Sequence, residues 1–94
     1  MAHPVAKIRL ETSKDVANFV STINSDGTII RYTITNEDNS YRVNARSYLG
    51  VLYASAEFGG ILYLVNETNE EEFPVWVDKF RPLSESNGGD YIHR

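Results

Sequence analysis

Across residues 5–11, Ala6, Ile8 and Leu10 alternate with Lys7, Arg9 and Glu11, the period-two pattern of a half-buried strand. The period then changes. Thr12 or Ser13 supplies a capping hydroxyl, and Val16, Phe19, Val20 and Ile23 recur at i, i+3, i+4 and i+7, which predicts an amphipathic helix ending at Asp26-Gly27. Residues 28–35 are rich in β-branched side chains and alternate Ile30, Tyr32 and Ile34 with Ile29, Arg31 and Thr33. A polar turn, Asn36-Glu37-Asp38-Asn39, follows, and Tyr41, Val43 and Ala45 then alternate with Arg42 and Asn44, so the two segments are expected to pair as an antiparallel hairpin.

Ser47 ends that strand, and Tyr48, Leu49, Leu52, Tyr53 and Ala56 fall at helical spacing until Gly59-Gly60. Gly50 inside this helix costs ~1 kcal/mol relative to alanine. Residues 61–65 are continuously apolar and predict a central strand whose inner face the period does not assign. Asn69 with Glu72 forms a capping-box pattern, Glu70, Glu71 and Glu72 suit the positive end of a helix, Pro74 fits its first turn, and Phe73, Trp76, Val77 and Phe80 make its buried stripe. After Pro82 the chain is rich in Ser, Asn and Gly, and residues 84–94 are expected to be a flexible tail behind a single domain of residues 1–83. The order β-α-β-β-α-β-α predicts an α+β fold, an open-faced β-sandwich with a four-stranded antiparallel sheet and three helices on one face.

The 94 residues, 41% hydrophobic and 23% charged, suit one globular domain. The lack of cysteine excludes disulfides, thiolate metal sites and cysteine nucleophiles, and it fits a reducing compartment, so a cytoplasmic location is expected. No apolar run approaches the ~20 residues of a membrane span, and no export signal is expected. Nine Lys and Arg against thirteen Asp and Glu give a net charge of −4, which would repel a nucleic-acid backbone. Neither nucleic acid nor membrane is an expected partner.

Candidate chemistry is sparse. His3 and His93 lie in the flanks with no convergent ligands, so no metal site is expected. The acids at 70–72 read as dipole complements rather than a general acid-base pair, Gly59-Gly60 as a turn rather than a phosphate cradle, and Ser47 has no base near it in sequence. No catalytic residue or cofactor, and hence no enzyme activity, is expected. Ser47 itself reads in two ways, as a helix cap worth ~1 kcal/mol or as a modified residue.

Residues 42–52, Arg-Val-Asn-Ala-Arg-Ser-Tyr-Leu-Gly-Val-Leu, resemble the strand, regulatory serine and short helix of the histidine-containing phosphocarrier family, HPr. By pattern the likeness extends over residues 7–81, and its specific portion is 43–52. The resemblance implies that Ser47 is the target of a dedicated ATP-dependent kinase. It further implies that Tyr48, Leu49 and Leu52, with Arg46 alongside, dock a protein partner, and that the setting is the bacterial sugar phosphotransferase system or its regulation. The family also carries a histidine and an arginine at the mouth of its first helix. Here the segment Leu10-Glu11-Thr12-Ser13-Lys14-Asp15-Val16 has neither, and the Asp15 carboxylate would repel phosphate at a helix N-terminus that otherwise attracts it. The expectation is a non-catalytic HPr-like regulatory module whose partner is a component of that system, a regulator or the serine kinase. The alternatives are a true phosphocarrier with another acceptor and an α+β domain of structural or phage-borne role without phosphate chemistry.

Overall fold

The continuous apolar run at 61–65 becomes β4 (Ile61–Asn66), which has a strand on each side. A computed structural model describes residues 3–27, 30–68, 73–82 and 92–93, the last two by backbone alone. Before β4 come β1 (Pro4–Arg9), α1 (Ser13–Ser25), β2 (Tyr32–Thr35), β3 (Arg42–Asn44) and α2 (Tyr48–Glu57); after it come a 3-10 helix (Val75–Phe80) and β5 (Ile92–His93). The antiparallel sheet has the order β3-β2-β4-β1-β5. Four strands are those anticipated from the pattern. The fifth, two residues long, pairs Pro4 with His93 and Val5 with Ile92.

Register explains why β4 is apolar from Ile61 to Val65. Ile8 lies opposite Leu62 and Ala6 opposite Leu64, and Leu64 is also opposite Ile34, so these side chains share the face that packs on the helices. Val5 opposite Val65, and Thr35 opposite Tyr63, occupy the other face and are buried too. A strand buried on both faces loses the alternation that marks a half-buried one.

The helix-facing core joins Ile8, Leu10 and Leu62 to Val16, Phe19 and Ile23 of α1 and to Val51 and Ala54 of α2. Phe19 meets Phe80 and Trp76 edge-on at 5.3 and 6.1 Å between ring centres, and Tyr32 stacks on Phe73 at 6.2 Å. Such pairs add about 0.5–1.5 kcal/mol each beyond the area they bury.

The third helix differs from its expected form. Its described part is a six-residue 3-10 helix preceded by Pro74, whose backbone is extended at ψ 155° and which supplies no side-chain cap. Proline disfavours helical backbone in the residue before it, so Phe73 does not continue the helix backwards. The Asn69–Glu72 capping pattern lies outside the described residues. The apolar stripe survives: Phe73 and Val77 are buried, and Trp76 and Phe80 pack half-buried against the core.

Tyr32 is 1% exposed, and its hydroxyl is buried without a hydrogen-bond partner. Burial, and next the Asp26 carboxylate, push its pKa up against the opposing Arg46 guanidinium. The folded state therefore holds the phenolic proton more tightly than the unfolded chain, where tyrosine titrates near pH ~10. The associated stability is complete below that pH and is lost as pH rises through the folded-state pKa. Tyr32→Phe should keep the ring packing, change stability at neutral pH by less than about 1 kcal/mol, and flatten the alkaline loss. Urea unfolding of both proteins at neutral and alkaline pH measures this. A larger loss at neutral pH would show that the hydroxyl has a stabilising partner.

Candidate functional site at the second helix

The chain leaves β3 through a turn built by Asn44, whose side-chain oxygen accepts from the Arg46 N–H at 2.9 Å and whose carbonyl accepts from the Ser47 N–H at 3.0 Å. Ser47 stays extended (φ −91°, ψ 109°), its carbonyl accepts from the Val51 N–H at 3.0 Å, and its exposed hydroxyl accepts from the Gly50 N–H at 3.4 Å. It is therefore the N-cap of α2. The N–H groups of Tyr48 and Leu49 belong to the first turn, where a helix offers no internal acceptor and its dipole is positive.

One side of α2 is committed to the fold. Val51, Ala54 and Ser55 are buried, and the Ser55 hydroxyl donates to the carbonyl of Leu10 at the end of β1. Gly50 permits close seating on β3, because a Cβ there would stand 2.2 Å from Val43 Cγ2. Tyr41 braces the helix, donating its hydroxyl to the Gly50 carbonyl at 3.3 Å, with its ring 5.8 Å from Tyr53 and 5.5 Å from Phe58.

The opposite side is apolar and exposed. Tyr48, Leu49 and Tyr53 are 39%, 75% and 57% accessible. Leu52 is half-buried and packs against the core, so only part of it belongs to this face. Positions 48, 49, 52 and 53 are neighbours three and four apart on one helix surface. Tyr53 was missed as a member of the exposed group, although its i+4 relation to Leu49 marks it.

Arg46 is placed differently from its expected position beside the docking face. Its guanidinium donates to the carbonyls of Ile23 at 2.8 Å and Ile30 at 3.1 Å, and to the side-chain oxygen of Asn24 at 3.4 Å. The last carbonyls of a helix lack internal donors and attract cations, so Arg46 closes the end of α1.

Acidic groups lie at the other end of α2. Glu57 is exposed in the last turn, and Glu37 and Asp38 share a recess of about 570 Å³ with Phe58, the residue that ends the helix. The Ser40 hydroxyl donates to Asp38 at 2.6 Å and the Ser40 N–H at 3.1 Å, which holds the Asp38 carboxyl below its ordinary range.

At the mouth of α1 the cap is Thr12. Its hydroxyl accepts from the Asp15 N–H at 3.1 Å, while the Asp15 carboxylate accepts from the N–H groups of Glu11 at 3.1 Å and Thr12 at 3.2 Å. The Glu11 and Thr12 N–H groups at this mouth are thus taken by the chain's own carboxylate. His3 sits before β1 with Nε2 3.9 Å from Glu67, and the Glu67 carboxylate is also paired with Arg42. His93, expected outside every element, lies in β5, where it pairs with Pro4 of β1. Among the described residues no cluster of three or more His, Asp or Glu is arranged to hold a metal ion, and no helix is long and apolar enough to cross a membrane. No protein-family model matches this chain, and neither does any curated protein or solved structure.

Proposed function

We propose that this chain is a non-catalytic interaction module of the HPr kind, which binds a protein partner through the outer face of α2 and is regulated at Ser47. The observation that carries this reading is the exposed Tyr48, Leu49 and Tyr53 on a helix whose N-cap is an accessible serine. Soluble domains seldom keep a contiguous apolar patch without a use. The apolar face runs toward Glu57, Glu37 and Asp38 at the negative end of the helix, which favours a partner whose own apolar contact has a basic rim. The resemblance of residues 42–52 makes the family's serine kinase the first such partner to test. A phosphate on Ser47 would bring a charge of about −2 to the free N–H groups of the first turn. With Arg46 engaged at α1, the helix end itself would supply the stabilisation.

Incubation with ATP and the family's serine kinase should place one phosphate on Ser47, mapped by mass spectrometry and lost in Ser47→Ala. Absence of phosphate from folded wild-type protein would contradict the regulatory part of the reading. Incubation with phosphoenolpyruvate and the first enzyme of the sugar relay should leave the chain unmodified; a phosphoprotein there would identify a true carrier instead.

A further inference from the structure

The recess of about 570 Å³ at the end of α2 is lined by Asn36, Glu37 and Asp38 of the β2–β3 turn, by Phe58, and by Ile61 and Tyr63 of β4. Its volume is ample for a long side chain. Phe58 and Ile61 are half-buried and Tyr63 is almost fully buried, so half of the lining residues are apolar or aromatic. Phe58 lies 5.5 Å from Tyr41, and Tyr41 lies 5.8 Å from Tyr53, so a row of rings joins the recess to the exposed face of α2. The charged residues of the lining are two carboxylates and no cation. By register Lys7 and Arg9 of β1 stand opposite Tyr63 and Ile61, but neither lines the recess, and Arg9 lies 4.0 Å from Glu11. Both bonds from Ser40 end on Asp38 Oδ1 and favour the ionised carboxyl, whose second oxygen keeps its own acceptor capacity.

We propose that this recess takes an arginine side chain of the protein partner that lies on α2, an assignment that rests on the docking reading of that helix. A guanidinium stacks on aromatic rings and forks to carboxylates, and the recess presents both kinds of group together. Phe58 offers the ring surface, Asp38 and Glu37 offer the opposite charge, and the Tyr53, Tyr41 and Phe58 row places the arginine next to the partner's apolar contact. An acidic side chain of a wrong partner meets like charge at the same place, so the recess adds selectivity to a docking face that is otherwise apolar.

The test is an amide-shift titration of ¹⁵N-labelled full chain with N-acetyl-arginine amide and, separately, with N-acetyl-citrulline amide, which has nearly the same shape and no charge, at ionic strength held constant with sodium chloride. Saturable shifts at Glu37, Asp38, Phe58 and Ile61 are expected with the arginine compound, and the citrulline compound should bind about ten-fold more weakly. Asp38→Asn keeps an oxygen for Ser40 and should weaken arginine binding about three-fold, the scale of one exposed charge contact. Asp26→Asn removes an exposed carboxylate outside the lining and should leave the response intact. The comparison of the two compounds on wild type needs no variant to fold. Equal binding of the two compounds, non-saturating drift with both, or equal weakening by the two substitutions would overturn the proposal. A single blocked residue is too small to cover Tyr48 and Leu49 as well, so a negative titration contradicts the recess alone, and the docking of α2 is judged separately by its kinase partner.

Discussion

Gly60→Ala is expected to destabilise the chain by about 2–4 kcal/mol, the sum of backbone strain and a contact that cannot be relieved by a side-chain rotation. Gly60 has φ +83°, and a Cβ added there would lie 3.1 Å from both Glu11 Cα and the Leu10 carbonyl oxygen. The flexible Glu11 side chain can move aside, but those two atoms belong to the backbone that leads from β1 into α1. The same backbone is tied to Gly60 by the Leu10 N–H, which donates to the Gly60 carbonyl at 2.7 Å. Gly59→Ala provides the control, since φ is +65° there and a Cβ would meet nothing within 4 Å. It should show only the strain of about 1–2 kcal/mol. Equal losses in urea unfolding of the two variants would show that the contact at Glu11 contributes nothing.

Gly50→Ala is expected to destabilise although helix propensity alone would favour it by about 1 kcal/mol. The new methyl would collide with Val43 Cγ2, the end of a stiff β-branched side chain, at 2.2 Å. Overpacking of this kind costs about 1–3 kcal/mol even after adjustment. Val43→Ala removes the obstructing methyl, and in that background Gly50→Ala should become neutral or stabilising. Unfolding measurements on the two single variants and the double variant give the coupling directly, expected at about 1–3 kcal/mol. Additive losses would show that α2 does not rest on β3 at this point.

These two glycines mark the boundary of what local pattern can reveal. Residue types show that Gly50 is a weak helix former and Gly59-Gly60 a turn, whereas the neighbours that exclude a side chain come from β3 and from the β1–α1 junction. By contrast, α1 was legible to within one residue, its cap narrowed to Thr12 or Ser13, because its capping hydroxyl, its acidic first turn, its apolar stripe and its terminating Asp26-Gly27 are all local signals. The β2–β3 hairpin and the Ser47 cap were legible for the same reason. Burial of β4 on both faces left no period to read. The two-residue β5 has too few positions for any pattern, and it is defined by its distant pairing with β1.

The candidate site divides in the same way. Ser47, Tyr48 and Leu49 were singled out by the resemblance of residues 42–52 to HPr, since residue types alone leave Tyr48 and Leu49 open between packing and docking, and their placement at the helix start follows from the cap. Arg46 could not be assigned, because its bonds reach back to Ile23 and Ile30 across the core. The cleft beside α1 brings Arg9 and Glu11 together with Lys79 and Arg81, residues that no sequence window unites.

The proposed docking role of α2 is tested most directly by the kcat/KM of the HPr-family serine kinase toward wild type, Leu49→Arg and Val75→Arg. Leu49 and Val75 are both highly exposed apolar residues, 75% and 84% accessible, so neither substitution should disturb the fold, and only Leu49 lies on α2. Leu49→Arg should lower kcat/KM for Ser47 phosphorylation about ten-fold or more, as expected for loss of an anchoring contact, while Val75→Arg should match wild type. Equal kcat/KM for all three proteins would contradict docking through the α2 face.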